Sequence, residues 1–164
     1  MIALLVMACF GDLPPSELVV YERPWRVEGA DHEALQASLL AEAPRPGAAG
    51  RTRVFSSTTC QAGPRHEGVL DVSLSVLVEV ELPVWEPPAG VSVDLVDQWT
   101  VFVGAVRDHE LGHADIARRG LGGLDASLVG LGSCAEVFRA ADRAVAAVKR
   151  RQDGWDRTHG AIGF

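Results

Sequence analysis

The stretch DLVDQWTVFVGAVRDHELGHADIARR, Asp94 to Arg119, decides the architecture. Leu95, Trp99, Phe102, Val103, Val106 and Ile116 recur in steps of three and four, which defines one face of a helix. Asp94 can cap its start, and Gly120, Gly122 and Gly123 stop it. A second helix is expected from about Leu124 to Arg151, with Ala, Leu and Val on its inner side. Everything before Asp94 reads differently. From Leu70 to Leu82 the even positions are Leu70, Val72, Leu74, Val76, Val78, Val80 and Leu82, and the odd ones are polar apart from Leu77. That alternation predicts a strand with one buried face, ended by Pro83 and by the turn Pro87-Pro88-Ala89-Gly90. Leu18 to Val27 predicts a strand broken by Pro24, and Arg51 to Thr59 another. Between them Asp31 caps a short helix, Glu33 to Ala41, and Gly47 to Gly50 form a loop. Strands first and helices last predict an α+β domain, a small antiparallel sheet packed against two long C-terminal helices.

A chain of 164 residues suits a single domain, here residues 18–164, with enough apolar content (48%) to build a core. The net charge of -7 argues against a nucleic-acid partner, which would ask for a basic patch. The basic clusters Arg118-Arg119 and Lys149-Arg150-Arg151 fall at expected helix ends, where they complement the helix dipole. Residues 1–11 are an apolar run too short to span a bilayer, and they look like the remnant of an export signal. Val6-Met7-Ala8-Cys9 resembles a lipoprotein cleavage box, with Cys9 as the lipidated residue and membrane tether. Cys60 and Cys134 lie within the domain and read as a disulfide, with two buried free thiols as the alternative. A disulfide would place the chain outside the reducing cytoplasm.

The chemistry is concentrated in His109-Glu110-Leu111-Gly112-His113. Histidines four apart on a helix project from one face, one turn apart, and can share a cation. Zinc is the metal that two imidazoles in this setting favour. Glu110 is placed to act as general base, taking a proton from the attacking water. Gly112 is a poor helix former, so its presence points to a close neighbour rather than to local propensity. His32-Glu33 and His66-Glu67 lack a second histidine at the required spacing, and a solvated His/Glu face is the bland alternative for the motif itself.

Catalytic zinc asks for a third protein ligand. His159 is the favoured one, lying in what reads as a Gly-bounded tail turn, and Glu136 on the last helix is the alternative. Asp156 would then accept a hydrogen bond from a ligand ring. The strand Leu70 to Leu82 could offer an edge for an extended substrate, against the plainer reading of a central strand. Arg107 and Tyr21 are among the polar side chains that could steady a developing oxyanion.

Several further residues carry a family resemblance: Tyr21, Val27, Gly29, Arg51-Thr52, Cys60, Leu82-Pro83-x-Trp85, Trp99, Cys134 and Asp156-x-x-Thr158-His159-Gly160. In this order around the zinc motif they resemble a bacterial family of predicted exported zinc-dependent proteases, otherwise a domain of unknown function. Trp155 stands where that family would have Tyr. The resemblance implies a zincin-like fold, pairing of Cys60 with Cys134, His159 in the site, and export to the periplasm, the cell envelope or the medium. The expectation is a zinc metallopeptidase acting on a peptide or protein substrate, with Glu110 as catalytic base and His109, His113 and His159 on the metal. The rival is a non-catalytic metal-binding module of the cell envelope.

Overall fold

The computed structural model describes residues 18–44, 47–63, 68–160 and 162–164. The export remnant at residues 1–11 and the lipidation site at Cys9 lie outside them. The alternating stretch forms the middle of a three-stranded sheet, β3 (Val69–Trp85), flanked by β1 (Leu18–Val27) and β2 (Arg51–Ala62) in the order β1-β3-β2. Val72, Leu74, Val76, Val78, Val80 and Leu82 are all buried, as the period of two requires. Both sides of β3 are paired, so it is not the edge that receives an extended substrate; among the described residues the open edges belong to β1 and β2.

Arg53 meets Glu79 and Glu81, while Cys60 packs near Val72, so β2 and β3 run antiparallel, as expected. β1 behaves otherwise. Arg23 reaches Glu81 at 3.5 Å and Arg26 reaches Glu86 at 3.0 Å, so residue numbers rise together and β1 runs parallel to β3. The sheet is therefore mixed rather than purely antiparallel. Neither proline breaks its strand. Pro24 lies in an edge strand, where one row of N–H groups has no ladder partner. Pro83 sits three positions inside the end of β3; its fixed φ is compatible with extended backbone, and it forfeits a single N–H.

The helices are α1 (His32–Glu42), α2 (Val93–Leu121), α3 (Leu124–Leu128) and α4 (Cys134–His159). Asp31 caps α1 by accepting the Ala34 N–H at 2.9 Å. Two differences from the expected helices matter. The chain leaves the helical path after Leu128, where Gly130 and Gly132 weaken it, and Ser133 starts a new helix. The Ser133 backbone oxygen accepts the Val137 N–H at 3.1 Å, its hydroxyl lies 3.4 Å from the Glu136 N–H, and Glu136 Oε2 lies 3.4 Å from that hydroxyl. This is the hydroxyl half of a Ser-x-x-Glu capping box; the Glu136 carboxylate accepts from the Ser133 hydroxyl rather than from its backbone N–H. At its other end α4 runs on to His159 instead of stopping near Arg151, so Lys149-Arg150-Arg151 lie within a helix rather than at its end.

By residue contacts the chain forms two compact units, to both of which β2, β3, α2 and α4 contribute. One holds residues 54–78 and 116–151. There Val72 of β3 packs with Leu128, Val137 and Ala141, and Cys60, Val69, Leu124, Leu131 and Ala140 gather around them. Cys60 and Cys134 are disulfide-bonded, with a Cα–Cα distance of 5.6 Å across a separation of 74 residues. Closing a loop of that length in the unfolded chain is worth about 4 kcal/mol. Reduction, or Cys60→Ser with Cys134→Ser, is therefore expected to lower the urea midpoint markedly; an unchanged midpoint with and without reductant would remove the disulfide from the stabilising contacts.

The other unit holds residues 20–53, 79–115 and 152–164. Trp85, Trp99, Phe102 and Phe164 form an aromatic cluster with centroids 5.0–5.6 Å apart, and the Trp85 indole donates to the Gly29 carbonyl oxygen at 2.9 Å. On the other face of β3 the buried carboxylates Glu79 and Glu81 lie between Arg23 and Arg53 from the two outer strands, an ion-pair ladder across the sheet. Among the described residues no helix is long and apolar enough to cross a membrane.

Candidate metal centre

The buried stripe of α2 changes character along its length. Leu95, Trp99, Phe102 and Val106 are followed, in the same steps of three and four, by Glu110 and His113, and then by Ala117 and Leu121. Two ionisable side chains therefore occupy positions that a purely structural helix fills with apolar residues. Such a breach of patterning is expected where a protein keeps its chemistry.

His109 and His113 project together, with ring centroids 5.0 Å apart. Asp156, from the last turns of α4, completes the group. Its Oδ1 lies 3.2 Å from His109 Nε2 and 2.9 Å from His113 Nε2. The three ligand atoms all fall within 4.8 Å of one another. A tetrahedral zinc with bonds of about 2.0–2.1 Å sets its ligands roughly 3.3 Å apart, so the two separations between the carboxylate oxygen and the imidazole nitrogens match that spacing, and the donor set suits the ion in chemistry. The histidine side chains are 13% and 9% exposed and that of Asp156 is 50% exposed, which leaves an open approach beside a shielded pair.

Glu110 lies next to this group and is nearly buried. Burial pushes its carboxyl above the ordinary carboxylate value. A hydrogen bond from the Thr52 hydroxyl at 2.7 Å and the nearby His113 and His109 pull the other way without cancelling it. A base raised in this manner holds a proton better at neutral pH than a free carboxylate does.

The remaining expected residues fall as follows. His159 is on the same helix as Asp156 but outside the cluster. Its ring stacks on Trp155 at 3.5 Å, and its Nδ1 lies 2.9 Å from Thr158 Oγ1 and 3.1 Å from the Trp155 carbonyl oxygen. Glu136 is exposed and is engaged at the start of α4 with Ser133. Arg107 makes a two-nitrogen contact with Glu22 at 3.1 and 2.7 Å, which raises its pKa further, and Tyr21 is exposed. The close neighbour of Gly112 is Trp155: a Cβ on Gly112 would come within 2.7 Å of indole Cε2 and closer still to Cζ2. Sequence reasoning named Thr52 only among the residues of the resemblance and missed it as a partner of Glu110, because a threonine in a strand is ordinary.

A family model described as a bacterial protein of unknown function (DUF922) matches residues 23–162. No curated protein and no solved structure matches the chain. The family description carries no activity, so what the site does rests on its own geometry.

Proposed function

The chain belongs to the bacterial family of unknown function DUF922, and from that premise we propose that it is a zinc-dependent peptidase with Glu110 as its general base. The observation that carries this reading is the joint placement of Glu110, nearly buried, beside two histidines and a carboxylate whose ligand atoms lie within 4.8 Å of one another. His109, His113 and Asp156 would hold the metal. When bound, zinc supplies Lewis acidity for a carbonyl oxygen and lowers the pKa of a water. Glu110 takes the proton of the attacking water and passes it to the leaving amine. His159, about one helical turn beyond Asp156, then stands outside the ligand set, its ring stacked on Trp155.

A peptide amide is the substrate class that this pairing of metal and adjacent base suits best. A metal-binding module without turnover would need the histidines and the aspartate but has no use for a nearly buried carboxylate beside them. The Cys60–Cys134 disulfide supports a location outside the reducing cytoplasm.

The test compares the wild type with Glu110→Gln, both dialysed against zinc and measured by elemental analysis and by cleavage of a mixed-sequence fluorogenic peptide library. Both proteins are expected to hold about one zinc per chain. Only the wild type is expected to cleave, with the variant reduced by about three orders of magnitude or more. Equal cleavage by the two proteins would refute the role of Glu110, and absence of zinc from the wild type would refute the site.

A further inference from the structure

Glu110 is held from outside its own helix. The Thr52 hydroxyl, at the start of β2, lies 2.7 Å from Glu110 Oε2 and 3.1 Å from the Glu110 backbone oxygen, so both of its acceptors belong to one residue. Two positions earlier, Gly50 presents bare backbone to the same side chain. A Cβ there would come within 2.8 Å of Glu110 Cγ, 2.9 Å of Oε1 and 2.7 Å of Val106 Cγ1. The beginning of β2 thus offers the carboxylate one donor and one surface without a side chain. Strand propensity is enough to put a threonine at position 52, but it gives no reason for the bare backbone of Gly50 just before the strand.

A free glutamate side chain samples many rotamers, and fixing one costs conformational entropy. A general base needs that cost met before substrate arrives, because its oxygen must lie within about 2.6–3.2 Å of the proton it takes. Among the described residues Oε2 is engaged by Thr52 and Oε1 receives no hydrogen bond. The two oxygens are therefore inequivalent.

We propose that Thr52 is a positioning residue for the base: its hydroxyl, anchoring Oε2 while the bare backbone of Gly50 leaves room for the rest of the carboxylate, fixes the Glu110 rotamer. The inference rests on the peptidase reading and deepens it.

Thr52→Val removes the donor while keeping shape and strand propensity, and Thr52→Ser keeps the donor. Each is measured for zinc content, for kcat and KM on the fluorogenic peptide library, and by carbon NMR of protein labelled at glutamate Cδ, with the Glu110 signal assigned by its loss in Glu110→Gln. Zinc content is expected to stay at the wild-type level in both variants. The Val variant should lose about 10-fold or more in kcat at unchanged KM, the scale of one hydrogen bond to a charged group, and should shift the Glu110 signal. The Ser variant should restore both. Wild-type cleavage with neither kcat nor the Glu110 signal altered by Val, or a Ser variant as impaired as Val, would overturn the role of Thr52 and leave the peptidase reading standing. A wild type that binds zinc and cleaves no peptide would overturn the peptidase reading itself, and with it the role of Thr52, even where the Val variant shifts the Glu110 signal.

Discussion

Asp156→Ala is expected to strip the protein of zinc, and His159→Ala to leave most of it bound. Asp156 Oδ1 lies within 3.2 Å of both imidazole nitrogens, so its removal leaves a two-histidine site. Catalytic zinc is held by three protein ligands, and a site with two loses affinity by about 100-fold or more. His159 is differently placed. Its Nδ1 is occupied within the last turn of α4 by the Trp155 carbonyl oxygen and Thr158 Oγ1, and its ring is held flat against the Trp155 indole. The contacts at Nδ1 leave Nε2 as its open nitrogen, but His159 lies outside the group of ligand atoms, so binding the ion through it would require its ring to leave the Trp155 indole. Asp156→Asn separates charge from shape: it retains the outline of the side chain but offers a weaker, neutral donor, so it should fall between wild type and Asp156→Ala. The measurement is zinc affinity by competition with a chromogenic chelator, done on all three variants. Zinc lost from His159→Ala but retained by Asp156→Ala would reverse the assignment and restore the three-histidine site that the sequence alone favours.

How these two residues came to be ranked differently by sequence and by structure has a physical cause. The motif on α2 is legible because helical periodicity fixes which side chains share a face, and His109 and His113 need nothing else to be brought together. The tail offers no such rule while it reads as a turn bounded by Gly154 and Gly160. Glycine in a helix interior costs about 1 kcal/mol, which is a fair reason to end the helix there, but Trp155 packing on Gly112 outweighs it and α4 continues to His159. Once the tail is helical, position 156 carries a carboxylate to the histidine pair, and position 159 follows one turn on.

The central strand was legible by alternation and the outer two by their residue types, and the order of strands before helices gave the α+β class. The direction of β1 was not legible, because it depends on which edge of β3 the chain returns to, and local pattern says nothing of that. The break after Leu128 was written in the chain as Ser133-Cys134-Ala135-Glu136, a helix start in mid-stretch, but the run of Ala, Leu and Val around it masked the signal. Cysteine spacing left pairing open, and the structure joins Cys60 to Cys134.

Gly112→Ala should destabilise the protein and weaken its hold on zinc, against what helix propensity alone dictates. Alanine is the better helix former by about 1 kcal/mol, so at an open position the change would stabilise α2. Here the new Cβ would sit within 2.7 Å of indole Cε2 of Trp155, well inside contact distance. The indole is a rigid bicycle with the His159 ring stacked on it at 3.5 Å, so it yields less readily than a flexible side chain would. Overpacking of this kind costs about 1–3 kcal/mol. The displacement would fall on the last turns of α4, and Asp156 is the next residue along. Its 2.9 Å approach to His113 Nε2 is therefore the contact most exposed to the shift, and zinc affinity is expected to drop by about 10-fold or more. Trp155→Ala in the Gly112→Ala background removes the obstacle, so a double-mutant cycle followed by thermal denaturation and zinc titration should show strong coupling between the two positions. An alanine variant more stable than wild type with unchanged zinc affinity would mean that the indole does not rest on Gly112. The glycine before the second histidine would then be without a structural reason.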